Sequence, residues 1–344
     1  MSTTLQRWGI PLGILGFMTI ITAIINNPFS NAQPQRKQVI AIDGSSTVYP
    51  ITNLMAAEFN DSRENKVQIK ADISGTTGGF KKFCEGKTDI SDASRPILKE
   101  EMAICNRNKV GYIELPIAFD ALTVVVNPQN DWAKDITIAE LKKIWEPAAQ
   151  GKITKWNQVR STWPDKPLNL YGPDNDSGTF DYFTQATVGK RKASRTDYTA
   201  NEDDNVLVQG VSQDPNALGY FGIAYYEGNK SQVKALAVNN GKGPVLPTRE
   251  TVEKIQYQPL SRPLFIYVNY KSAQNKPAVR EFVDFYLDKA PKLVGQVGYI
   301  PLSKEVYHLD FVQFHKGEVG TVFNGQAQLN LTLAEVLRKR TTLF

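Results

Sequence analysis

The order of apolar and polar positions predicts alternating strands and helices over the first third of the chain. The run "VIAID" at 39–43 is typical of a short buried strand, and the residues after it have helical spacing from about Pro50. The stretch "NKVQIKADI" alternates apolar and polar residues like a half-buried strand, and a helix through Cys84 follows it. Such alternation indicates an α/β domain that binds ligands at the carboxyl ends of its strands.

The pattern changes after about Asn127, and this change predicts a second lobe. "KVGYIELPIAFDALTVVVNPQ" reads as two strands, "ITIAELKKIWEP" and "PAVREFVDFYLDKAPKLVGQVG" read as helices, and "LTLAEVLRKR" suggests a last helix. The strong strands at 122–126 and 264–269 bracket the middle of the chain. The simplest architecture has a discontinuous first lobe and an inserted second lobe, joined by two crossings that act as hinges. The predicted lobe boundaries are, for lobe one, 39–122 with 264–344 and, for lobe two, 127–260.

The N-terminal segment has the features of an export signal. Arg7 supplies a positive start, Ile10–Ile25 is almost wholly apolar, and small residues follow at positions 30–32. We predict cleavage after Ala32, so that residues 1–32 form a signal peptide and the mature protein is periplasmic. An uncleaved anchor helix that holds the protein at the membrane is the alternative, because the apolar run is only slightly short for a membrane span.

Charge and cysteine content exclude several classes of function. The 40 Lys and Arg residues nearly balance the 35 Asp and Glu residues, and no basic stripe interleaved with aromatics is present, so nucleic-acid binding is not expected. The two cysteines, Cys84 and Cys105, could form a disulfide in an oxidising compartment or remain unpaired core thiols. With His308 and His315 they show no metal-ligand spacing, so neither a metal nor a cofactor is expected.

Three segments share one form, in which a small polar cluster of Gly, Ser and Thr directly precedes a helix. They are "DGSSTVYPIT" at 43–52, "SGTTGGFKKF" at 74–83 and "PDNDSGTFDYF" at 173–183. A helix start offers unpaired backbone N–H groups and a positive dipole end, and Ser or Thr hydroxyls add rotatable donors. One such start is weak evidence, since Ser and Thr cap most helices. Three of them in a two-lobed α/β chain indicate a cleft that binds a small oxyanion.

A fourth segment, "DISDASRPI" at 89–97, adds a charged candidate to this cleft. It reads as a strand that ends in polar residues, and Ser94 and Arg95 stand where that strand should end. Arginine suits bidentate recognition of phosphate or carboxylate, so Arg95 is a candidate ligand residue. From its position alone, Arg95 could equally well form an ion pair on the protein surface.

Together these segments resemble a known family. "GSSTVYPIT", "ISGTTGGFKKFCEGKTDISDASRPI", "DNDSGTF", "NALGYFGIAYY" and "GYIPLS" resemble the periplasmic phosphate-binding proteins that deliver phosphate to an ABC transporter. The resemblance covers most of residues 39–303 in the same order, whereas the tail after about Tyr307 lies outside it. It implies an α/β, two-lobed periplasmic-binding-protein (venus flytrap) fold with two hinge crossings. It also implies inorganic phosphate as the ligand, a membrane permease as the partner, a monomeric state and no enzymatic activity.

The resemblance further implies which residues bind phosphate. Thr47 and Thr76 would contribute hydroxyls, and Val48 a backbone N–H. The third segment would contribute a helix start. The full predicted set is Thr47, Val48, Thr76, Ser94, Arg95, Ser177, Gly178 and Thr179.

Two departures from the family pattern affect this set. The best-known members carry an aspartate where this chain has Ser94, and an arginine shortly before "SGT" where this chain has Pro173. We predict that Arg95 supplies the missing cation from the other lobe. Asp174 or Asp176 would then hold its guanidinium or accept the proton that phosphate carries.

The missing aspartate also bears on selectivity. Phosphate near neutral pH can donate a hydrogen bond and sulfate cannot, so a buried carboxylate acceptor rejects sulfate. If Ser94 replaces that acceptor, Asp92 or one of the two aspartates in the third segment would have to serve. A binding protein for another oxyanion, such as sulfate or molybdate, is therefore an alternative. A secreted phosphatase or a phosphate sensor is another, although the chain has no G-x-S-x-G motif and no histidine before His308.

Overall fold

The structure, a computed structural model, describes residues 38–64, 66–326 and 328–341. The predicted signal peptide at 1–32, including the cleavage position after Ala32, lies outside the described residues. None of the helices in the described part is long and apolar enough to cross a membrane.

Strands and helices alternate along the described chain, as the sequence pattern predicts. The strands are β1 (Val39–Gly44), β2 (Gln68–Ile73), β3 (Ile90–Ala93), β4 (Tyr112–Val126), β5 (Asp135–Thr137), β6 (Asn169–Gly172), β7 (Thr199–Ala200), β8 (Ala217–Gly222), β9 (Lys234–Ala235), β10 (Ala237–Asn239), β11 (Pro244–Val245) and β12 (Ser261–Asn269). The helices are α1 (Tyr49–Asp61), α2 (Gly75–Cys84), α3 (Lys99–Arg107), α4 (Ile138–Trp145), α5 (Trp156–Val159), α6 (Gly178–Thr187), α7 (Asp204–Gln213), α8 (Ile223–Gly228), α9 (Arg249–Glu253), α10 (Tyr270–Asn275), α11 (Pro277–Gln296), α12 (Lys304–Lys316) and α13 (Leu333–Thr341). The helix predicted from "LTLAEVLRKR" is α13.

One curled sheet runs through both lobes of this α/β fold. Its strand order is β2-β1-β3-β12-β4-β8-β6-β7, and β9 pairs with the end of β4 on the edge opposite to β8. Strand β1 is parallel to both β2 and β3, so the loops that follow these strands emerge at the same edge. In the other half, β6 is parallel to β8 and β7. A small separate sheet has the order β11-β10-β5.

Strand β4 differs from the prediction of two strands over the same residues. It is one strand of 15 residues, all buried. Its first part, up to Ala121, pairs with β12, and its second part, from Leu122, pairs with β8. Pro116 has no N–H to donate, yet it does not end the strand, because the pairing with β12 shifts register beside it. The prediction of two strands was therefore wrong, since the apolar run continues through the proline.

The two crossings between the lobes lie side by side. The chain passes from one lobe to the other within β4 and returns at the start of β12. At this point the backbone N–H of Leu122 donates to the carbonyl of Leu260 over 2.7 Å. Charged residues face each other here too, since Arg262 is the register partner of Asp120. The two connections between the lobes are therefore adjacent, buried strands.

Helices cover the sheet and form the core. Helix α1 packs on α11, where the rings of Phe59 and Phe282 meet edge to face with centroids 5.3 Å apart. Helices α2 and α3 are joined by a disulfide between Cys84 and Cys105, with an S–S distance of 1.98 Å. The tail beyond α12 returns to the first lobe, where Phe323 packs on Phe265 with centroids 5.4 Å apart. The part of the chain outside the family resemblance thus completes the core of lobe one.

Candidate functional site

The structure brings the predicted hydroxyl groups of both lobes together at the boundary between the lobes. The loop after β1 carries Thr47, the first turn of α2 carries Thr76, and the residue after β3 is Ser94. These positions lie at one edge of the sheet because their strands are parallel neighbours. The start of α6, which carries Ser177 and Thr179, faces them from the other lobe. Each of these five side chains belongs to a residue that is at most 1% exposed.

Two pairs of hydroxyls define the centre of this site. Thr47 Oγ1 lies 2.9 Å from Thr179 Oγ1, a contact between the two lobes. Thr76 Oγ1 lies 3.1 Å from Ser94 Oγ and also accepts the backbone N–H of Ser94 over 3.1 Å. Hydroxyls can either donate or accept by rotation, so both pairs could turn their protons toward an anion.

Glycine is required at two points where the lobes meet. A Cβ on Gly178 would lie closer than 3.0 Å to the hydroxyl oxygens of Ser94 and Thr76. Gly75 has φ +71°, and a Cβ there would overlap the carbonyl of Asp176. The same carbonyl accepts the backbone N–H of Thr77 over 3.0 Å, directly across the boundary. The two glycines therefore permit the close approach of the lobes.

Two predicted groups have local hydrogen-bond partners. Ser177 is the N-cap of α6, and its Oγ accepts the backbone N–H groups of Thr179 and Phe180 over 3.1 and 3.4 Å. The backbone N–H of Val48 donates to the carbonyl of Ser45 over 3.1 Å. In this structure both groups therefore stabilise a helix start, which is the ordinary role of such residues.

Arg95 is buried between two carboxylates. Its Nη1 and Nη2 donate to the two oxygens of Glu101 over 2.9 and 2.7 Å, and its Nε donates to Asp181 over 2.9 Å. Burial alone would lower the pKa of the Arg95 guanidinium, but Glu101 and Asp181 outweigh burial and raise it above its ordinary value. Asp181 belongs to α6 of the other lobe, so this ion pair crosses the boundary between the lobes.

The aspartates predicted as partners of Arg95 lie in the loop before α6. Asp174 is half-buried, and its Oδ1 accepts the backbone N–H of Asp176, which is exposed, over 2.9 Å. The carboxylates that hold the Arg95 guanidinium in the structure are instead Glu101 and Asp181.

A group of acidic side chains lies next to the hydroxyls. Ser46 Oγ is 3.4 Å from Glu202 Oε1 and 3.4 Å from Asp204 Oδ2, across the boundary between the lobes. Burial, followed by the charges of Asp174 and Asp204, raises the pKa of Glu202 to about 10. Burial, with the charge of Asp120, raises the pKa of Asp204 to about 8. Both carboxyls are therefore mainly protonated near neutral pH when the lobes are in contact.

Asp92, the other predicted acceptor, is a buried carboxyl at the end of β3. Burial raises its pKa to about 8, against the opposing effect of a hydrogen bond from Thr52. Its Oδ1 has no hydrogen-bond partner among the described residues.

A second buried arginine at the start of β12, Arg262, was not predicted from the sequence. Its Nε and Nη2 donate to Asp120 Oδ2 over 3.1 and 3.0 Å, and the residues are 1% and 0% exposed. Its Nη2 also donates to Thr179 Oγ1 over 2.6 Å and to Thr47 Oγ1 over 3.4 Å. Its Nη1 donates to the carbonyl of Gly178 over 3.0 Å. Arg262 therefore touches residues from both sides of the predicted site.

A signal for this pair was present in the sequence. Asp120 is the single charged residue within "IAFDALTVVV", and Arg262 stands at the start of the apolar run "RPLFIYV". Charged residues within buried strands need a partner of opposite charge. That requirement indicates a pair, although it does not say which residues form it.

The fold and the site define a two-lobed solute-binding protein, and comparison with known proteins gives the class. A model of the PBP superfamily domain named PBP_like_2 matches residues 30–290 of this chain. The chain is 61% identical over 308 residues to protein SphX of Synechocystis sp., with 90% of this chain and 91% of SphX covered. It is 38% identical over 269 residues to the phosphate-binding protein PstS of Staphylococcus saprophyticus, with 77% and 81% covered.

A solved structure is similar as well. A substrate-binding protein assigned to a phosphate ABC transporter of Clostridium perfringens, solved with bound phosphate, has a TM-score of 0.65 at 25% identity. The alignment covers 77% of this chain and 100% of that protein. The chain belongs to the PBP superfamily and, within it, to the family of SphX and PstS. The resemblance found in the sequence is confirmed.

The described side chains also bear on metal binding. Among the residues that the structure describes, no group of three or more His, Cys, Asp or Glu side chains has the arrangement of a metal site. The chemistry available at the boundary between the lobes is that of hydroxyls, backbone groups, carboxyls and arginine.

Proposed function

We propose that this protein captures inorganic phosphate between its two lobes and delivers it to an ABC permease in the membrane. The family supports this proposal, because relatives that match more than three quarters of the chain are named as phosphate-binding proteins. The similar protein from Clostridium perfringens contains bound phosphate. We place the protein outside the cytoplasm, as a monomeric binding protein rather than an enzyme.

The observation that carries the proposal is the convergence of hydroxyls from distant loops. Thr47 and Thr179 are 132 residues apart in the chain, yet their oxygens are 2.9 Å apart. Thr76 and Ser94 lie beside Gly178 in the same buried region. Hydrogen bonds to a charged group contribute about 1.5–3 kcal/mol each. A micromolar dissociation constant needs about 8 kcal/mol in total, so several such bonds suffice.

We propose that the lobes open and close around phosphate at the hinge formed by β4 and β12. The predicted lobes, 39–122 with 264–344 and 127–260, are supported by the change of strand partner between Ala121 and Leu122. Ligand contacts that form only when the lobes meet would favour the closed form. The permease would then recognise that closed form.

The proposed ligand groups are those predicted from the sequence, with different expected contributions. The hydroxyls of Thr47, Thr76, Ser94 and Thr179 would donate to phosphate oxygens. The backbone at Val48 and at the start of α6 would add N–H donors after small local shifts. Asp92 stays a candidate acceptor for the proton on phosphate, because its buried Oδ1 has no hydrogen-bond partner among the described residues, a property that it shares with Asp181, Glu202 and Asp204.

Calorimetric titration of the purified protein with phosphate, sulfate and arsenate tests this function. We expect phosphate to bind with a micromolar or tighter dissociation constant and sulfate to bind at least a hundredfold more weakly. Tight binding of sulfate with no response to phosphate would contradict the proposal. Release of phosphate from a chromogenic phosphate ester would contradict the absence of enzymatic activity.

A hydroxyl variant tests the site itself. Thr76→Val keeps the side-chain shape and removes the oxygen bonded to Ser94, so we expect phosphate affinity to fall about tenfold, the equivalent of one hydrogen bond to a charged group. Thr187→Val is the matched control. It removes a buried hydroxyl that donates to the Phe183 carbonyl at the far end of α6, and its affinity should stay within about twofold of wild type. Equal affinities in both variants would remove Thr76 from the site.

A further inference from the structure

We propose that Arg262, and not Arg95, is the cation that binds the phosphate, and that Asp120 positions it. This inference rests on the proposed function, since it assigns one role within the phosphate site. Neither Arg262 nor Asp120 belongs to the polar segments from which the site was predicted.

The first reason is contact with the ligand groups. Arg262 Nη2 lies 2.6 Å from Thr179 Oγ1 and 3.4 Å from Thr47 Oγ1, the two hydroxyls that meet across the lobe boundary. A phosphate placed between these hydroxyls would be within reach of the same guanidinium. Arginine binds phosphate oxygens through parallel N–H donors, so the N–H directed at Thr179 could turn to the anion. Arg95 makes no hydrogen bond to either of these two hydroxyls among its contacts with Glu101 and Asp181.

The second reason is the local balance of charge. Arg262 pairs with one carboxylate, Asp120, so this pair is neutral as a whole. Arg95 pairs with both Glu101 and Asp181, and Asp181 also lies 3.3 Å from Arg191, so two carboxylates already occupy the guanidinium of Arg95. An anion that approached Arg95 would meet two carboxylates already bound to the guanidinium. In a buried site with a low effective dielectric, repulsion from these two carboxylates favours Arg262 over Arg95 as the residue that binds an anion.

The third reason is the rigid support of Arg262. Arg262 and Asp120 are directly opposite each other on β12 and β4, the two strands of the hinge. Asp120 Oδ2 accepts two N–H groups of the guanidinium, and Asp120 Oδ1 accepts the backbone N–H of Ile223 over 3.0 Å. The carboxylate is therefore held in place and fixes the orientation of the arginine. The cation would remain at the hinge while the start of α6 closes onto it.

A neutral double variant tests the role of Arg262. Arg262→Gln combined with Asp120→Asn removes both charges, so no buried charge is left without a partner. We expect phosphate affinity, measured by calorimetry, to fall at least about a hundredfold, as for truncation of a buried charged contact. The control is Arg160→Gln, which removes one positive charge from an ion pair with Glu140 and Asp135 outside the site and should leave the affinity within about threefold.

The single variants test the positioning role of Asp120. Asp120→Asn should weaken phosphate binding while Arg262 is present and should have no further effect on affinity in the Arg262→Gln background. A residue with a structural role alone would reduce affinity equally in both backgrounds. Equal losses would therefore overturn the positioning role.

The crystal structure of the wild-type protein with phosphate provides a test that does not depend on the folding of a variant. We expect a guanidinium nitrogen of Arg262 within about 3.2 Å of a phosphate oxygen, with Arg95 still on Glu101 and Asp181. Phosphate bound to Arg95, or a double variant that folds and binds within about threefold of wild type, would overturn the inference and leave the proposed function intact. A wild-type protein that binds no phosphate would instead overturn the proposed function.

Discussion

Two buried arginines lie at the boundary between the lobes, and they differ in what surrounds them. Arg95 donates to two carboxylates, from α3 and α6, and to one hydroxyl and one carbonyl, whereas Arg262 donates to one carboxylate, two hydroxyls and one carbonyl. The Arg95 group continues through Asp181 to Arg191, which lies 3.3 Å from it. Burial of an arginine does not by itself indicate an anion site. The number of carboxylates already bound to it decides whether an anion can approach.

The ion pairs around Arg95 and those around Arg262 also have different roles. The ion pair between Arg95 and Asp181 joins the two lobes directly, and the bond between Arg191 and Glu100, 2.6 Å long, joins them again nearer the surface. This network stabilises contact between the lobes at some distance from the hinge. The Arg262 group, on the hinge strands, leaves its hydroxyl partners able to bind a ligand.

Gly178 should show the largest effect, because it contacts the hydroxyl site on one side and Arg262 on the other. Gly178→Ala would place a Cβ against Thr76 and Ser94 and push the lobes apart. We expect phosphate affinity, measured by calorimetry, to fall at least about a hundredfold, as for overpacking in a closed interface.

The control for this prediction is Gly228→Ala. A Cβ at that position meets no atom within 4 Å, so affinity should be unchanged. Wild-type affinity in Gly178→Ala would mean that the lobes do not close in this arrangement when phosphate binds.

Arg95 should affect stability more than affinity. Arg95→Gln would leave Glu101 and Asp181 buried without their cation, so the free energy of unfolding should fall by about 3–5 kcal/mol. Phosphate affinity should fall by about tenfold, because the bond between the lobes is lost while Arg262 remains.

Urea unfolding and phosphate titration of the same preparation measure both quantities. An affinity loss for Arg95→Gln that exceeds the loss in the double variant of Arg262 and Asp120 would reverse the assignment of the two arginines.

Proton uptake on closure should make the affinity for phosphate depend on pH. Glu202 faces Asp174 and Asp204 from its own lobe and Ser46 from the other, and its pKa is raised from 4.5 to about 10. In an open form, contact with water would return the pKa of Glu202 toward 4.5. Between about pH 4.5 and pH 10, closure of the lobes is therefore coupled to the uptake of one proton by Glu202. The contribution of Glu202 to closure is therefore fully present below pH 4.5 and is lost as pH rises toward 10.

Glu202→Gln removes this titration and keeps the shape of the side chain. We expect the affinity of the wild type relative to this variant to decline between about pH 6 and pH 9, at a rate of up to about tenfold per pH unit. Measuring both proteins at each pH cancels the titration of phosphate itself. A ratio that is constant with pH would show that Glu202 does not couple closure to protonation.

The elements that sequence patterns predicted well are those with local causes. Helix starts such as the one at Ser177 depend on a few adjacent residues, and the alternation of strands and helices depends on periods of two and 3.6 residues. The strand β4 was misread because its continuity depends on a partner strand, β12, that shifts register beside Pro116. Such a shift cannot be seen in the residues of one strand alone.

By itself, the sequence determined the α/β class, the polar loops with Thr47, Thr76 and Ser177, and the family that these loops resemble. Tertiary structure alone decided which buried arginine could serve an anion. Arg262 and Asp120 are 142 residues apart, and only the register of β12 on β4 makes them partners. Arg95 is ion-paired with Asp181 only because α6 approaches from the other lobe. Local pattern specifies the element, whereas the pairing of distant charges follows from how the elements pack.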